Sequence, residues 1–509
     1  MNKHIDSEIS VKRLHKDVDF VHKKIFKLHP DLDRYITKEK LTFKFDSLKK
    51  SIQQPLKPNA FFFGISQVVG SIRQGHATIQ PLQKQYTTKE LKILNKRGKS
   101  PLSLLSYAFV NEELLIAKNF GKDSTLKVGT VIKSVAGITP QFLYTKYRKT
   151  EASDGYNTTY FQRGFARKFN TLLNLERPMA DSIPIVFSYK DSIFEKTLTR
   201  TSEKAKVKKK SDKETKVAPV VVSKEAKEKQ LLAKKALEKK KKIFGYDEVR
   251  KEFTRHLSYI PSDSSIAVLK IKSFTGGKEK VAYAHIFKEI EQKKVKSLVI
   301  DLRNNGGGSL PEIINLYRYI GQDFTTFVDT MKVTNRTGVV YNRYRNVPKT
   351  AMVIASPLIT YLAVKELCSI KKSPFGYYYQ KSKLTKRIQP RDNNFQGNVY
   401  VLINGASFSA SAVFSANLKH LKRATFIGEE TGGASKSTVA GVLPIMRLPH
   451  SKLKLRFGLM EIAVPHKTTV EGHGVYPDIT LLPTKEDFEK NSDPELEWVI
   501  QKENELKAK

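Results

Sequence analysis

The run Asn404-Gly405-Ala406-Ser407-Phe408-Ser409-Ala410-Ser411 sets small residues and a serine where an apolar strand pattern, Val399 to Ile403, gives way to a helical one, Ala412 to Leu421. A serine at such a junction lies beside helix N-terminal N–H groups that lack intrahelical partners and can stabilise developing negative charge. The chemistry on offer at Ser409 is nucleophilic attack on a carbonyl, with the Ala410 N–H as one oxyanion donor. Serine is also a favoured helix N-cap, so a strand-serine-helix junction is structural far more often than catalytic. A second segment adds weight: Ser297-Leu-Val-Ile-Asp-Leu-Arg-Asn-Asn-Gly-Gly-Gly308, another buried strand, runs into a glycine-rich loop. Gly306 to Gly308 suit a tight turn with φ > 0, and no Lys-Ser/Thr follows them as a P-loop requires.

Together these segments resemble a family of serine peptidases that includes the C-terminal processing (tail-specific) proteases, the tricorn core protease and the interphotoreceptor retinoid-binding protein repeats. Asp301-Leu-Arg-Asn-Asn-Gly-Gly-Gly308 matches the family's "D-L-R-x-N-x-G-G" loop, and Ser407-Phe-Ser-Ala410 matches its nucleophile turn. Ile427-Gly-Glu-Glu-Thr-Gly-Gly433 matches "G-E-x-T-G-G", and Gly474-Val-Tyr-Pro-Asp-Ile479 matches "G-V-x-P-D". The resemblance implies amide hydrolysis through an acyl-enzyme, without metal or cofactor, on a polypeptide substrate. Gly307 is the glycine-loop oxyanion donor by motif position.

The family has two catalytic designs. The processing proteases use a lysine base and follow the nucleophile turn with a glutamate; here those positions fall on Ala434 and Ala412, leaving Lys436 as the alternative base. The tricorn-like branch takes a histidine from a "D-G-H-T" motif in the N-terminal region. Arg73-Gln-Gly-His-Ala77 resembles it, departing at Gln74 and Ala77. In this reading His76 takes the Ser409 proton and later gives it to the leaving amine. Glu471, just ahead of "G-V-x-P-D", orients the ring as the carboxylate of a serine triad does.

Other histidines compete with His76. His473 adjoins Glu471 and is itself a possible base, His420 falls roughly 16 Å along the helix from Ser409, and His466 follows Pro465 in a loop pattern. Two further readings stay open: a Ser409/Lys436 dyad, and a noncatalytic ligand-binding relative, as the retinoid-binding-protein repeats are.

The elements that must position these residues follow an order. Residues 1–100 read as a helical region whose last helix, Phe61 to Ile72, delivers His76. Residues 101–199 read as a β-rich module in which Gly129 to Gly137 resembles a PDZ segment, without a clear carboxylate-binding loop. Residues 200–243 are a basic charged insert, its second half suited to an exposed helix. Residues 244–509 alternate strand and helix patterns, including a strand at Ala351 to Ile354, which predicts a mixed α/β domain with a largely parallel sheet. Ser409 and the glycine loop then lie at carboxyl ends of strands, where α/β sheets place their sites. Ser369 to Asn394, polar and Tyr-rich, reads as a surface insertion.

The chain of 509 residues is 39% hydrophobic, enough for sizeable cores. It shows no apolar run long enough to span a membrane. Its net charge is +41, but the seventeen Lys or Arg against six Asp or Glu in residues 200–242 account for only part of that. No helix-turn-helix, zinc-finger or RNP motif accompanies the charge, so phosphate attraction is at most nonspecific. Anionic surfaces remain possible partners. The N-terminus has no apolar leader pattern. The resemblance implies an exported, periplasmic or envelope protein whose leader is absent from this numbering, with a cytoplasmic protein as the alternative. Cys368 is the single cysteine and excludes an intramolecular disulfide. Substrate sequence and oligomeric state are not written in these patterns.

Overall fold

The computed structural model describes residues 3–178, 180–200, 224–248, 250–466 and 470–508. The N-terminal region is helical, as expected. α1 (Val11–Leu28) buries Leu14, Val18, Val21, Ile25 and Leu28 along one stripe. α2 (Lys38–Ser51) is capped by Thr37, whose side chain accepts the Lys40 N–H. α3 (Pro58–Gly70) carries Pro58 in its first turn and buries Phe61, Phe62, Ile65, Val68 and Val69. A turn holding His76 then leads into β1 (Thr78–Gln80).

The next module is an antiparallel sheet of β2 (Leu105–Val110), β3 (Glu113–Asn119), β4 (Val131–Val135), β5 (Ser182–Tyr189) and β6 (Ser192–Thr199), in that spatial order. Between β4 and β5 come α4 (Pro140–Tyr147) and α5 (Thr159–Glu176). α5 buries Phe161, Phe165, Phe169 and Leu172 at helical spacing. The charged first half of the insert, residues 201–223, lies outside the described residues; its second half is the helix α6 (Lys224–Phe244).

The C-terminal region is built on a six-stranded sheet. It comprises β7 (Arg255–Ile260), β8 (Asp263–Ile271), β9 (Ser297–Asp301), and, later in the chain, Asn398–Ile403, Thr425–Gly428 and Ile479–Thr480. All neighbours are parallel except β7 and β8. α7 (Glu279–Gln292) joins β8 to β9, and α8 (Leu310–Ile320) follows the glycine loop. β9 and the Asn398–Ile403 strand are almost wholly buried, which is why both read as continuous apolar runs.

A second, antiparallel sheet contains β10 (Met331–Val333). Beyond it the expected strand at Ala351 to Ile354 is instead helix α9 (Lys349–Ile354), continued by α10 (Ser356–Ser369). Met352 and Val353 are exposed there, so the short apolar run is neither a buried strand nor distinguishable from a helix by periodicity. Residues 369–394 are not a mere surface insertion. They form β11 (Ile370–Lys372) and β12 (Tyr378–Gln380), which extend the second sheet through β10.

The remaining elements are β13 (Asn398–Ile403), α11 (Ala410–His420), β14 (Thr425–Gly428), β15 (Ser437–Ala440), β16 (Ile445–Arg447), β17 (Lys454–Arg456), β18 (Met460–Ala463), β19 (Ile479–Thr480) and α12 (Pro494–Ala508). β15 and β18 complete the second sheet, in the order β11-β12-β10-β18-β15. β16 and β17 pair with β1 in a small sheet, order β1-β17-β16. α12 covers one face of the parallel sheet, with Val499 packed among Ile266, Val299 and Ile427.

One hydrophobic cluster runs from Leu14 and Phe61 through Phe165 to Val401, Phe414 and Val475. The helical region, the β-rich module and the α/β region therefore share a core, and the chain can bring residue 76 to residue 409. Arg34, from the loop between α1 and α2, pairs with the buried Glu461 of β18 and with Asp31 at 2.5 Å. No helix among the described residues is long and apolar enough to cross a membrane.

Candidate active site

The Ser409 turn and the glycine loop are sewn together by side-chain and backbone hydrogen bonds. Asn404 Oδ1 accepts the N–H of Ala406 at 3.1 Å and of Asn304 at 3.0 Å. The Ser407 hydroxyl, fully buried, donates to Leu302 O at 2.8 Å, and the Phe408 N–H donates to Asn305 O at 3.0 Å. Ser409 follows at φ 57°, ψ −122°, at the N-cap of α11, and its side chain makes no capping bond. A non-glycine residue with this backbone is strained by about 1–3 kcal/mol, a cost that the surrounding bonds must overcome. The strain frees the hydroxyl from the helix and leaves it at the rim of a cavity.

Gly307 stands against this turn with φ 97°. A Cβ at position 307 would lie 2.8 Å from Ser409 Cβ and 2.8 Å from the Ala410 nitrogen, so only glycine lets the two loops approach this closely. Its expected role as oxyanion donor is corrected by the structure. The Gly307 N–H donates to Asn305 Oδ1 at 2.9 Å, because that side chain folds back inside the loop and claims it. The Ala410 N–H has no hydrogen-bond partner among the described residues.

His76 is buried, and its ring stacks on Phe408, the residue before Ser409, with centroids 4.8 Å apart. Gly75 makes room for that stack: a Cβ there would meet Phe408 Cζ at 2.6 Å. Burial, reinforced by the nearby Arg456 guanidinium, pushes the imidazole down to about 3, so the ring is neutral at ordinary pH. Its Nδ1 is buried without a hydrogen-bond partner among the described residues.

Glu471 does not orient this ring. It is exposed and pairs with Lys436 at 3.1 Å, and neither residue lines the Ser409 cavity. The expected Glu471–His76 contact and the Ser409/Lys436 dyad are thus both absent, since each charged group finds its partner in the other at the surface. His473 sits 3.1 Å from Glu430 and 2.8 Å from the Tyr476 hydroxyl. His420 and His466 stack on each other at 3.6 Å, and neither lines the cavity.

Asp154 was not legible in the sequence. Its Oδ1 accepts the Gly75 N–H at 2.7 Å, fixing the turn that carries His76. Burial pushes this carboxyl up to about 6. Around it, Gly155 N–H donates to Arg73 O at 2.8 Å, Asp154 N–H to Gly432 O at 3.2 Å and Tyr156 N–H to Gly472 O at 2.7 Å. One short loop thereby ties the histidine turn to the segment following the nucleophile helix. Only the Asp-Gly turn signal at Asp154-Gly155 was available to suggest it.

A cavity of about 710 Å³ has Ser409, His76, Gly307 and Ala410 in its wall, with Met331, Leu443 and Ile462 providing apolar surface. Gln380, Ser382 and Leu384 close another side, which gives β12 and the segment after it a place in the site.

A strained serine at the start of a helix, at the carboxyl end of a central parallel strand, with a neutral histidine on the same cavity, is an arrangement suited to nucleophilic serine chemistry. Residues 265–481 match the model of Peptidase family S41. Three solved structures share its fold across almost the whole length. Mature CPAF is 13% identical with a TM-score of 0.58, over 94% of each chain. A CPAF mutant is 14% identical with a TM-score of 0.62, over 94% of each chain. Mature CPAF complexed with lactacystin is 14% identical with a TM-score of 0.60, over 94% of this chain and 95% of that one. No curated protein matches the sequence.

Proposed function

We propose that the protein is a serine peptidase that hydrolyses peptide bonds of polypeptides through an acyl-enzyme on Ser409. The observation that carries this reading is the meeting of Ser409 and His76 on one cavity from opposite ends of the chain. His76 removes the Ser409 proton as Oγ attacks the scissile carbonyl and returns it to the leaving amine; water then repeats the sequence on the ester. The Ala410 N–H faces the developing oxyanion. With Nδ1 buried, Nε2 is the ring nitrogen that serves the cavity.

Glu471 joins as orienter only if its Lys436 pair opens. The reading also takes the protein as exported, in keeping with the resemblance to tail-specific proteases, and gives the β-rich module a structural role beside the site.

Fluorophosphonate acylation of wild type, Ser409→Ala, His76→Ala, Lys436→Ala and Glu471→Gln tests the assignment. Labelling lost in the first two variants and kept in Lys436→Ala supports it. Labelling that survives His76→Ala and disappears in Lys436→Ala moves the base to lysine, and an unlabelled wild type points to a noncatalytic binding protein. An unchanged rate in Glu471→Gln removes Glu471 from the mechanism.

A further inference from the structure

The small sheet β1-β17-β16 has one face in the core and one face in a cavity. Ile79, Met446 and Leu455 are buried, and the alternation of strands places Thr78, Gln80, Arg447, Lys454 and Arg456 on the other face. Those five residues and Gly75 line a second cavity, of about 750 Å³. Arg456 lies directly across from Thr78 in the β1–β17 register and lines both this cavity and the Ser409 cavity. It is thus the residue at which the two spaces meet.

The charges on this face are uncompensated. Arg447, Lys454 and Arg456 make no ion pair or side-chain hydrogen bond among the described residues. Arg447 and Lys454 stand directly opposite each other, an antiparallel arrangement of like charges that destabilises a sheet. The one carboxylate among the described residues of the cavity wall, Glu151, is already paired with Lys168. Elsewhere the chain does supply partners to buried cations: Arg34, Arg163, Arg255 and Arg303 each hold a carboxylate. A face that concentrates repulsion next to a catalytic cleft, with donors free, fits a ligand that brings the missing negative charge.

We propose that the basic face of β16 and β17, with Arg456 at its centre, is a substrate subsite that holds carboxylates of the polypeptide beside the scissile bond. The inference rests on the peptidase reading and adds the class of substrate. The total charge of +41 does not select such a substrate, since most of it is diffuse; the unpaired cations of the second cavity, which meets the Ser409 cavity at Arg456, do. Acidic side chains and a free C-terminal carboxylate present the same chemistry, and guanidinium bonds to either are charge-assisted.

The test uses full-length Ser409→Ala protein, so that recognition is read without hydrolysis. Fluorescein-labelled peptides carrying Glu or Gln at matched positions, each as C-terminal acid and as amide, are titrated by anisotropy at low and moderate salt. A preference of roughly tenfold for Glu over Gln, shrinking with salt, assigns acidic side chains; the same preference for acid over amide assigns the terminus. In either case the preference must fall in Arg456→Gln and in the double variant Arg447→Gln/Lys454→Gln, whose two residues do not line the Ser409 cavity. Equal binding of all four peptides, or a preference untouched in both variants, overturns the subsite. Fluorophosphonate labelling of the unsubstituted serine, measured separately, decides the peptidase reading.

Discussion

Gly307 approaches Ser409 so closely that a single methyl group on it would stand 2.8 Å from the serine Cβ. The contact is side-chain-free on one partner and strained on the other, with φ 97° at Gly307 and φ 57° at Ser409. Two loops from neighbouring parallel strands, β9 and β13, are thereby locked into one surface.

Gly307→Ala is expected to push the nucleophile turn away from the glycine loop. Losing one well-placed oxyanion contact costs about 10²–10³-fold in such sites, and displacement of the turn carrying Ala410 should cost a comparable factor in fluorophosphonate labelling. Circular dichroism should still report a folded chain. Labelling within about tenfold of wild type would show that the turn keeps its shape without the glycine.

Replacing the strained serine by glycine should stabilise the protein while abolishing labelling. The strain at Ser409 is about 1–3 kcal/mol, and glycine gives back about 0.5–1 kcal/mol in unfolded-state entropy. Ser409→Gly should therefore exceed Ser409→Ala, which retains the strain, by about 1 kcal/mol in urea unfolding. Equal midpoints for the two variants would place the strain elsewhere.

Acylation of Ser409 should not fall off with a midpoint near 6.5. Burial and Arg456 bring His76 to about 3, so the ring is already neutral at pH 5, where an ordinary histidine would be mostly protonated. The labelling rate between pH 8 and pH 5 is expected to stay flat. For stability the sign follows: the unfolded chain takes up this proton first, so the contribution is complete above the unfolded value and is lost as pH falls toward about 3. A labelling midpoint at pH 6–7 would mean that the ring is solvated in the working enzyme.

Asp154 should act on the site through the Gly75 N–H. Asp154→Ala removes that bond at a buried position, which costs about 1–3 kcal/mol, and it should slow Ser409 labelling by releasing the histidine turn. Its carboxyl is raised to about 6, so the stability it contributes is present below the unfolded value and is lost as pH rises through about 6. Asp154→Asn mimics the protonated acid and should gain on wild type between pH 4 and pH 7 in urea midpoints. A constant difference across that range would contradict the buried, protonated carboxyl.

The nucleophile turn and the glycine loop were legible in the sequence because their geometry is local. Asn404, Ser407 and Asn305 bond to backbone within a few residues or across adjacent strands, so a strand, a turn and a helix start suffice to specify Ser409. The parallel sheet was legible for a similar reason: fully buried strands leave continuous apolar runs. The strand expected at Ala351 failed because a short apolar run carries no period that separates strand from helix.

What tertiary structure alone decided is who meets whom. His76 shares a cavity with Ser409 because one core joins the N-terminal helices to the α/β region and Phe408 offers its ring a stacking face. Glu471 fits a motif, yet it is drawn to Lys436, since an exposed carboxylate pairs with the nearest cation rather than with a buried neutral ring. Arg456 is one basic residue among ninety-one in the sequence. Only the pairing of β17 with β1 sets it across from Thr78, at the wall of the cleft, without a carboxylate partner among the described residues.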